Sequence, residues 1–132
     1  KEALEFYGKN LGLTFQIADD TLDYNSDLKF FGKKLGKDFL EGKITLPVIL
    51  LFQNITFIEK DKLKDIFKQE YRSDEDLNFT LMLIKKYNII NECYKKAEHF
   101  INLASNSLTV FKDSDGKKIL ENLTSFSLER NF

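Results

Sequence analysis

The chain has 132 residues, 42% of them hydrophobic and 31% charged, with 21 acidic against 20 basic side chains and a net charge of −1. That length suits one domain or less with enough apolar residues for a core, and the interleaved charges leave no basic stripe to follow a nucleic-acid backbone. The single cysteine, Cys93, excludes an intrachain disulfide and a cysteine-based zinc site, which fits a reduced, cytoplasmic setting.

The predicted elements are all helical. Lys1 to about Asp23 reads as the first helix, because Ala3, Leu4, Tyr7, Leu11, Phe15, Ala18 and Leu22 recur every three or four residues. Gly8 and Gly12 interrupt it at helical spacing, which would let a neighbouring helix approach closely at about 1 kcal/mol of propensity each. Asn25 to Lys43 reads as a loop, punctuated by Gly32, Gly36 and Gly42 and charged by Lys33, Lys34, Lys37 and Lys43. Thr45 is placed to cap the next helix, with Pro47 in its first turn. Leu46 to about Asn54 is nearly all apolar and should be central in its bundle.

Glu59 to about Glu70 is amphipathic through Leu63, Ile66 and Phe67, and Ser73 or Asp74 caps a helix reaching about Tyr87. The clearest stripe follows: Ile90, Cys93, Tyr94, Ala97, Ile101, Ala104, Leu108 and Phe111. Asp113 or Ser114 opens a last helix with Ile119, Leu123, Phe126 and Leu128. The longest apolar run, Leu46 to Phe52, is far short of the roughly 20 residues of a spanning helix, so no integral membrane segment is expected. Lys1 is not an initiator methionine, and the chain is expected to begin inside something longer or to have been processed or trimmed.

The chemistry concentrates between Phe15 and Pro47. Asp19 and Asp23 stand one helical turn apart, Asp20 and Asp23 are three apart, and Gln16 points its amide at the same surface. Carboxylates about 4 Å apart repel by roughly 1 kcal/mol per pair in water and by more when partly buried. A hard divalent cation would relieve that, and Mg²⁺ favours carboxylate, water and phosphate oxygens. An acidic triplet by itself is as often a solvated helix face. Here Phe15, Ile17 and Leu22 around it predict a largely buried helix, and a carboxylate trio on a buried side is a functional pattern. Lys33 and Lys43 follow in a Gly-rich loop that can bring ammonium groups onto a phosphate, whereas Lys34 and Lys37 read as surface charge. Asp38 and Glu41 are weaker candidates for orienting those lysines or binding the backbone. Cys93 and Met82 read as packing residues, and His99 as a surface or packing residue.

These runs resemble the second aspartate-rich region of the trans-isoprenyl diphosphate synthases (the polyprenyl synthetase family). The family's GLxFQIxDDxLDY appears here as GLTFQIADDTLDY, residues 12–24, and its GKxxGxDxxEGKxTLP as GKKLGKDFLEGKITLP, residues 32–47. The terminal SLERNF resembles the ending of many members, with Arg130 at the place of their late arginine. EGKITLPVILL is most like the medium- and long-chain, octaprenyl-type enzymes that make quinone side chains. The resemblance implies an all-α fold, with residues 1–132 forming the C-terminal portion of the isoprenoid-synthase helical bundle. It implies a prenyltransferase that condenses an allylic diphosphate with isopentenyl diphosphate.

Under that resemblance Asp19 matches a direct Mg²⁺ ligand, and Asp20 and Asp23 match carboxylates that ligate directly or through water. Lys33 and Lys43 match lysines that hold the allylic diphosphate, Gln16 matches a polar neighbour of that site, and Arg130 joins the substrate-binding set. Metal and lysines stabilise the departing diphosphate, the double bond of isopentenyl diphosphate attacks the allylic cation, and diphosphate takes the proton. Complete members are mostly homodimers. The first aspartate-rich motif and the elements that bind isopentenyl diphosphate do not occur in these 132 residues. The chain alone is therefore expected to be inactive and to expose apolar faces where the other half would pack. A non-catalytic accessory subunit of a heteromeric synthase is the alternative, and the retention of all three aspartates weighs against it.

Overall fold

A computed structural model of the chain describes residues 1–25 and 35–131, with side chains through residue 125. Every element among the described residues is helical: α1 (Glu2–Leu22), α2 (Lys37–Leu40), α3 (Leu46–Asn54), α4 (Phe57–Lys68), α5 (Asp74–Lys86), α6 (Ile89–Ser107), a 3₁₀ turn (Leu108–Val110) and α7 (Asp115–Asn131). The all-α expectation holds. The chain divides into two compact units, residues 1–18 with 94–132, and residues 19–93.

In the first unit, Tyr7 and Leu11 of α1 pack with Ile101 and Ala104 of α6 and with Leu108, and Phe15, Phe111 and Leu120 lean on that cluster. Two buried hydroxyls lock the packing. Tyr7 donates to the carbonyl of Leu120 at 2.8 Å, and Thr14 lies 3.0 Å from the carbonyl of Asn10 and 3.2 Å from that of Ala97. Ser114 accepts the amide of Lys117 at 3.1 Å, so of the two expected caps for α7 it is Ser114 that serves. The stripe of α6 is buried as its spacing requires, with Ala97, Ile101 and Ala104 at 0% exposure.

The expectation for the face of α7 is corrected, and the approach that Gly8 and Gly12 permit is not used among the described residues. A Cβ placed on Gly8 or Gly12 would meet no heavy atom within 4 Å, so neither glycine is pressed by a neighbouring helix among the described residues. On α7, Ile119 is 66% exposed and Leu120, one position round the helix, makes the core contact. Leu4, Phe6 and Leu13 of α1 are each more than a third exposed.

The second unit is built on α3. Thr45 stands at its N-cap in extended backbone with Pro47 in the first turn, but its hydroxyl makes no capping bond. Pro47, Val48, Leu50 and Leu51 are buried, as expected of a central apolar helix, and α3 packs with α5. Helix α4 starts two residues earlier than its apolar pattern suggests. Thr56 and Glu59 form a capping box: Thr56 accepts the Glu59 amide at 3.3 Å, and Glu59 accepts the Thr56 amide at 3.0 Å. Ser73 and Asp76 repeat the device at α5, at 3.0 Å in each direction. Phe39 and Phe67 meet edge to face, 5.3 Å between centroids. Cys93 is buried as expected, His99 is exposed, and Met82 is not a packing residue but 51% exposed on α5.

Glu59 also ties α4 to the end of α5. Lys86 donates to it at 2.7 Å and the Tyr87 hydroxyl makes a short bond to its other oxygen. The Lys86 and Tyr87 bonds and the Thr56 amide hold its carboxyl at about 2, below the ordinary 4.5. A carboxyl lowered in this way stabilises the fold fully above its unfolded value, and that contribution disappears as pH falls from about 4.5 through about 2. In acid unfolding followed by helical circular dichroism, Glu59→Gln should flatten the loss of stability across that window. Superimposable acid profiles of the two proteins would contradict this role.

A clasped carboxylate and lysine segment as candidate functional site

The candidate residues of the second unit gather where α1 ends. The helix closes at Leu22, so Asp19 and Asp20 lie in its last turn and Asp23 lies beyond it. Asp19 is exposed, Asp20 half-buried and Asp23 buried at 3%. The expectation of three carboxylates on one largely buried face is thus corrected: they are graded in depth, because Asp23 has left the helix and turned toward α2. Its two oxygens accept the backbone amides of Lys37 and Asp38, each at 2.9 Å, and its own carbonyl accepts the amide of Gly36 at 2.9 Å. A carboxylate on the first amides of a helix satisfies orphan donors and meets the positive end of the helix dipole.

That clasp explains a helix the sequence pattern did not announce. Lys37–Leu40 lies inside the expected loop and is only 4 residues long, too short to nucleate unaided. Gly36 before it takes φ +79, and a Cβ there would lie 2.6 Å from Leu77 Cδ1, so glycine is needed both for the turn and for the packing of α5 against it.

The same turn carries Lys43. Gly42 (φ +77) donates its amide to Phe39 and Lys43 donates its amide to Asp38, both at 2.9 Å. The Lys43 ammonium is exposed, 3.1 Å from Glu41 and 3.8 Å from Asp38. The bond from Glu41, and then the charges of Glu41 and Asp38, raise its pKa, so it is a full cation at neutral pH. The Asp38 carbonyl thus closes this turn, while its carboxylate, with Glu41, pairs with Lys43.

Buried beside the aspartates is Tyr24, 1% exposed, whose hydroxyl finds no hydrogen-bond partner among the described residues. Burial, then the carboxylates of Asp23, Asp38 and Asp20, push its pKa up, which keeps the phenol neutral among them. Gln16 lies in the first unit, exposed at its place on α1. Lys33 lies outside the described residues, as do Lys34 and the side chain of Arg130, whose backbone belongs to α7.

Among the described residues no three His, Cys, Asp or Glu side chains gather closely enough to hold a metal ion between them. Mg²⁺ asks for less: one or two carboxylates, waters and substrate phosphate oxygens complete its shell. Asp19 and Asp20 at the accessible end of α1 fit that demand.

Arg72 was not foreseen. Its guanidinium reaches the carbonyls of Phe39 at 2.8 Å and Gln69 at 2.7 Å. The available signal was scarcity, since only Arg72 and Arg130 are arginine among the 20 basic residues.

The clasp has a measurable cost of removal. Asp23→Ala leaves two part-buried amides without acceptors and should destabilise the chain by about 2 kcal/mol in urea unfolding. Asp23→Asn, which keeps one acceptor oxygen, should lose about half as much. Equal stability of all three proteins would show that α2 does not depend on this carboxylate.

Comparison with known proteins identifies the lineage. Residues 1–84 match the family model described as polyprenyl synthetase. The chain is 31% identical over 129 residues to solanesyl-diphosphate synthase 2, chloroplastic, of Oryza sativa subsp. japonica, covering 98% of this chain and 31% of that protein. It superposes on the crystal structure of a decaprenyl diphosphate synthase from Rhodobacter capsulatus with a TM-score of 0.89 and 30% identity, over 99% of this chain and 40% of that one. A polyprenyl synthase from Caulobacter crescentus, complexed with calcium and isoprenyl diphosphate, gives a TM-score of 0.84 at 33% identity, over 99% and 40% of the two chains. The chain thus spans 31–40% of the length of these relatives. With a family model covering well over half of it and a matching all-helical fold, the chain belongs to the polyprenyl synthetase family, the trans-isoprenyl diphosphate synthases.

Proposed function

We propose that this chain supplies one wall of a prenyl-transfer site, the wall that holds an allylic diphosphate, and that it is the C-terminal part of a polyprenyl diphosphate synthase. One observation carries the reading: Asp23 fastens the end of α1, with Asp19 and Asp20 on it, to the segment that presents Lys43. Oxygen ligands for a cation and an ammonium for phosphate are thereby tethered to one clasp.

In this reading Asp19 is a direct ligand of Mg²⁺, and Asp20 and Asp23 complete the carboxylate set directly or through water. Bound Mg²⁺ would neutralise the diphosphate and make it a better leaving group. Lys43 exchanges Glu41 for a diphosphate oxygen, a move its exposure permits, and Lys33 adds a second ammonium. Gln16 and Arg130 belong to the same substrate-binding set. These groups stabilise negative charge that grows as the allylic C–O bond breaks, so they act most strongly in the transition state. The double bond of isopentenyl diphosphate attacks the allylic cation, and the released diphosphate accepts the proton.

Mg²⁺ as the working cation, a polyprenyl product destined for a quinone side chain, a homodimer when complete and a cytoplasmic location belong to the same proposal. No helix among the described residues is long and apolar enough to cross a membrane. The groups that bind isopentenyl diphosphate and the opposing metal ligands lie outside these 132 residues, so the chain alone should not elongate.

The test is prenyl transfer by the chain with Mg²⁺ and both substrates, alone and mixed with a separately expressed N-terminal half of a polyprenyl synthase. The chain alone should be inactive and the mixture active. Asp19→Ala should lower the activity of the mixture by about 100-fold or more, the scale of losing one electrostatic contact to the developing charge. Turnover by the chain alone, or a mixture indifferent to Asp19→Ala, would overturn the assignment.

A further inference from the structure

The guanidinium of Arg72 is spread over two helix ends. Nε donates to the carbonyl of Phe39 at 2.8 Å and Nη2 approaches that of Leu40 at 3.4 Å, both in the last turn of α2. Nη1 donates to Gln69 at 2.7 Å and lies 3.5 Å from the carbonyls of Ile66 and Phe67 at the end of α4, while Nη2 also lies 3.4 Å from that of Glu70. The Phe67 ring, 5.9 Å from Cζ, covers one side of the group. Helix C-termini leave carbonyls unsatisfied and carry partial negative charge, so a cation is doubly favoured there. Only arginine presents five N–H groups in a rigid fork able to serve two such ends at once.

The turn that Arg72 holds is the one that delivers Lys43. The Phe39 carbonyl that takes Nε also takes the amide of Gly42, and the next amide, that of Lys43, closes on Asp38. Gly42 has no side chain where the guanidinium lies; a Cβ would come within 2.7 Å of Nη2. Each guanidinium nitrogen is engaged with backbone carbonyls, so the group faces the protein and leaves the phosphate contact to Lys43.

We propose that Arg72 is a positioning residue for the allylic diphosphate site, fixing the α2–Gly42 turn so that the Lys43 ammonium is presented to the diphosphate. This rests on the function proposed above, in which Lys43 binds diphosphate.

Two measurements on the full chain test it. The first is titration calorimetry with inorganic diphosphate and Mg²⁺ as the probe, on wild type, Lys43→Ala, Arg72→Ala, Arg72→Lys and the Arg72→Ala/Lys43→Ala double variant. Each single alanine variant should bind about ten-fold more weakly, the loss of one charge-assisted contact. The double variant should be no weaker than Lys43→Ala, because both changes remove the same contact. Arg72→Lys should resemble Arg72→Ala, since an ammonium cannot span both helix ends. Losses that multiply in the double variant would place Arg72 on the diphosphate itself and overturn the positioning role.

The second measurement is amide hydrogen exchange. In Arg72→Ala the amides of Gly42 and Lys43 should exchange about ten-fold faster, with those of α6 unchanged. Unchanged exchange at Gly42 and Lys43 would overturn the proposal. If wild type fails to bind diphosphate, the functional reading fails, and exchange at these two amides decides the positioning of the turn independently. If Arg72→Ala does not fold, Arg72→Lys carries both measurements.

Discussion

Asp23 is where the chemistry-bearing part of the chain is pinned. Its side chain and its carbonyl together receive three consecutive amides, those of Gly36, Lys37 and Asp38. Gly36, Lys37 and Asp38 are thereby held against the residue just past the end of α1, which closes a loop. Closing such a loop costs entropy that grows only slowly with its length. Three charge-assisted or buried hydrogen bonds at one point offset much of that cost. Without the clasp, α2 has too few residues to persist, and the turn to Lys43 has nothing to start from.

The clasp also settles how three aspartates coexist in five residues. Were all three to share one solvated helix face, they would repel without a cation. Instead they are separated by depth and by partner. Asp23 spends its charge on backbone amides, Asp20 is half-buried, and Asp19 is exposed. Tyr24 stays neutral in the midst of them because deprotonating it would add another negative charge in a buried place. The most accessible carboxylate is then Asp19, the one the family resemblance assigns to direct metal ligation.

Much of this was legible in the residues because helices with one buried face must repeat every three or four positions. The stripe from Cys93 through Leu108 and the run from Leu46 to Asn54 fall where their spacing puts them. The parts that were not legible depend on contacts far apart in sequence. α2 exists through Asp23, 14 and 15 residues before its bonded amides, and no local propensity announces it. The early start of α4 was available in Thr56 and Glu59 as a capping box, and was obscured because the apolar pattern begins later. Gly8 and Gly12 permit a close helix crossing, but helical spacing of glycines states only that an approach is allowed, not that one occurs. Asp23 was recognised by motif, while its bonding to α2 depends on the turn beyond Leu22, which a helical-wheel argument extends too far.

The division of labour among the cations follows the same physics. The chain is lysine-rich, and the exposed Lys43 pairs with Glu41 on the surface. A lysine is a mobile point charge whose exposed pair is weak and easily exchanged for a stronger anion. That suits a residue that must take and release a diphosphate. Arg72 meets the opposite demand. It is set among carbonyls of two helix ends, where a planar fork loses little freedom per bond. A fixed cation thus orders the backbone from which an exchangeable one reaches outward. Glycine at position 42 is the condition for both, since it admits the guanidinium on one side and supplies the left-handed turn toward Lys43 on the other.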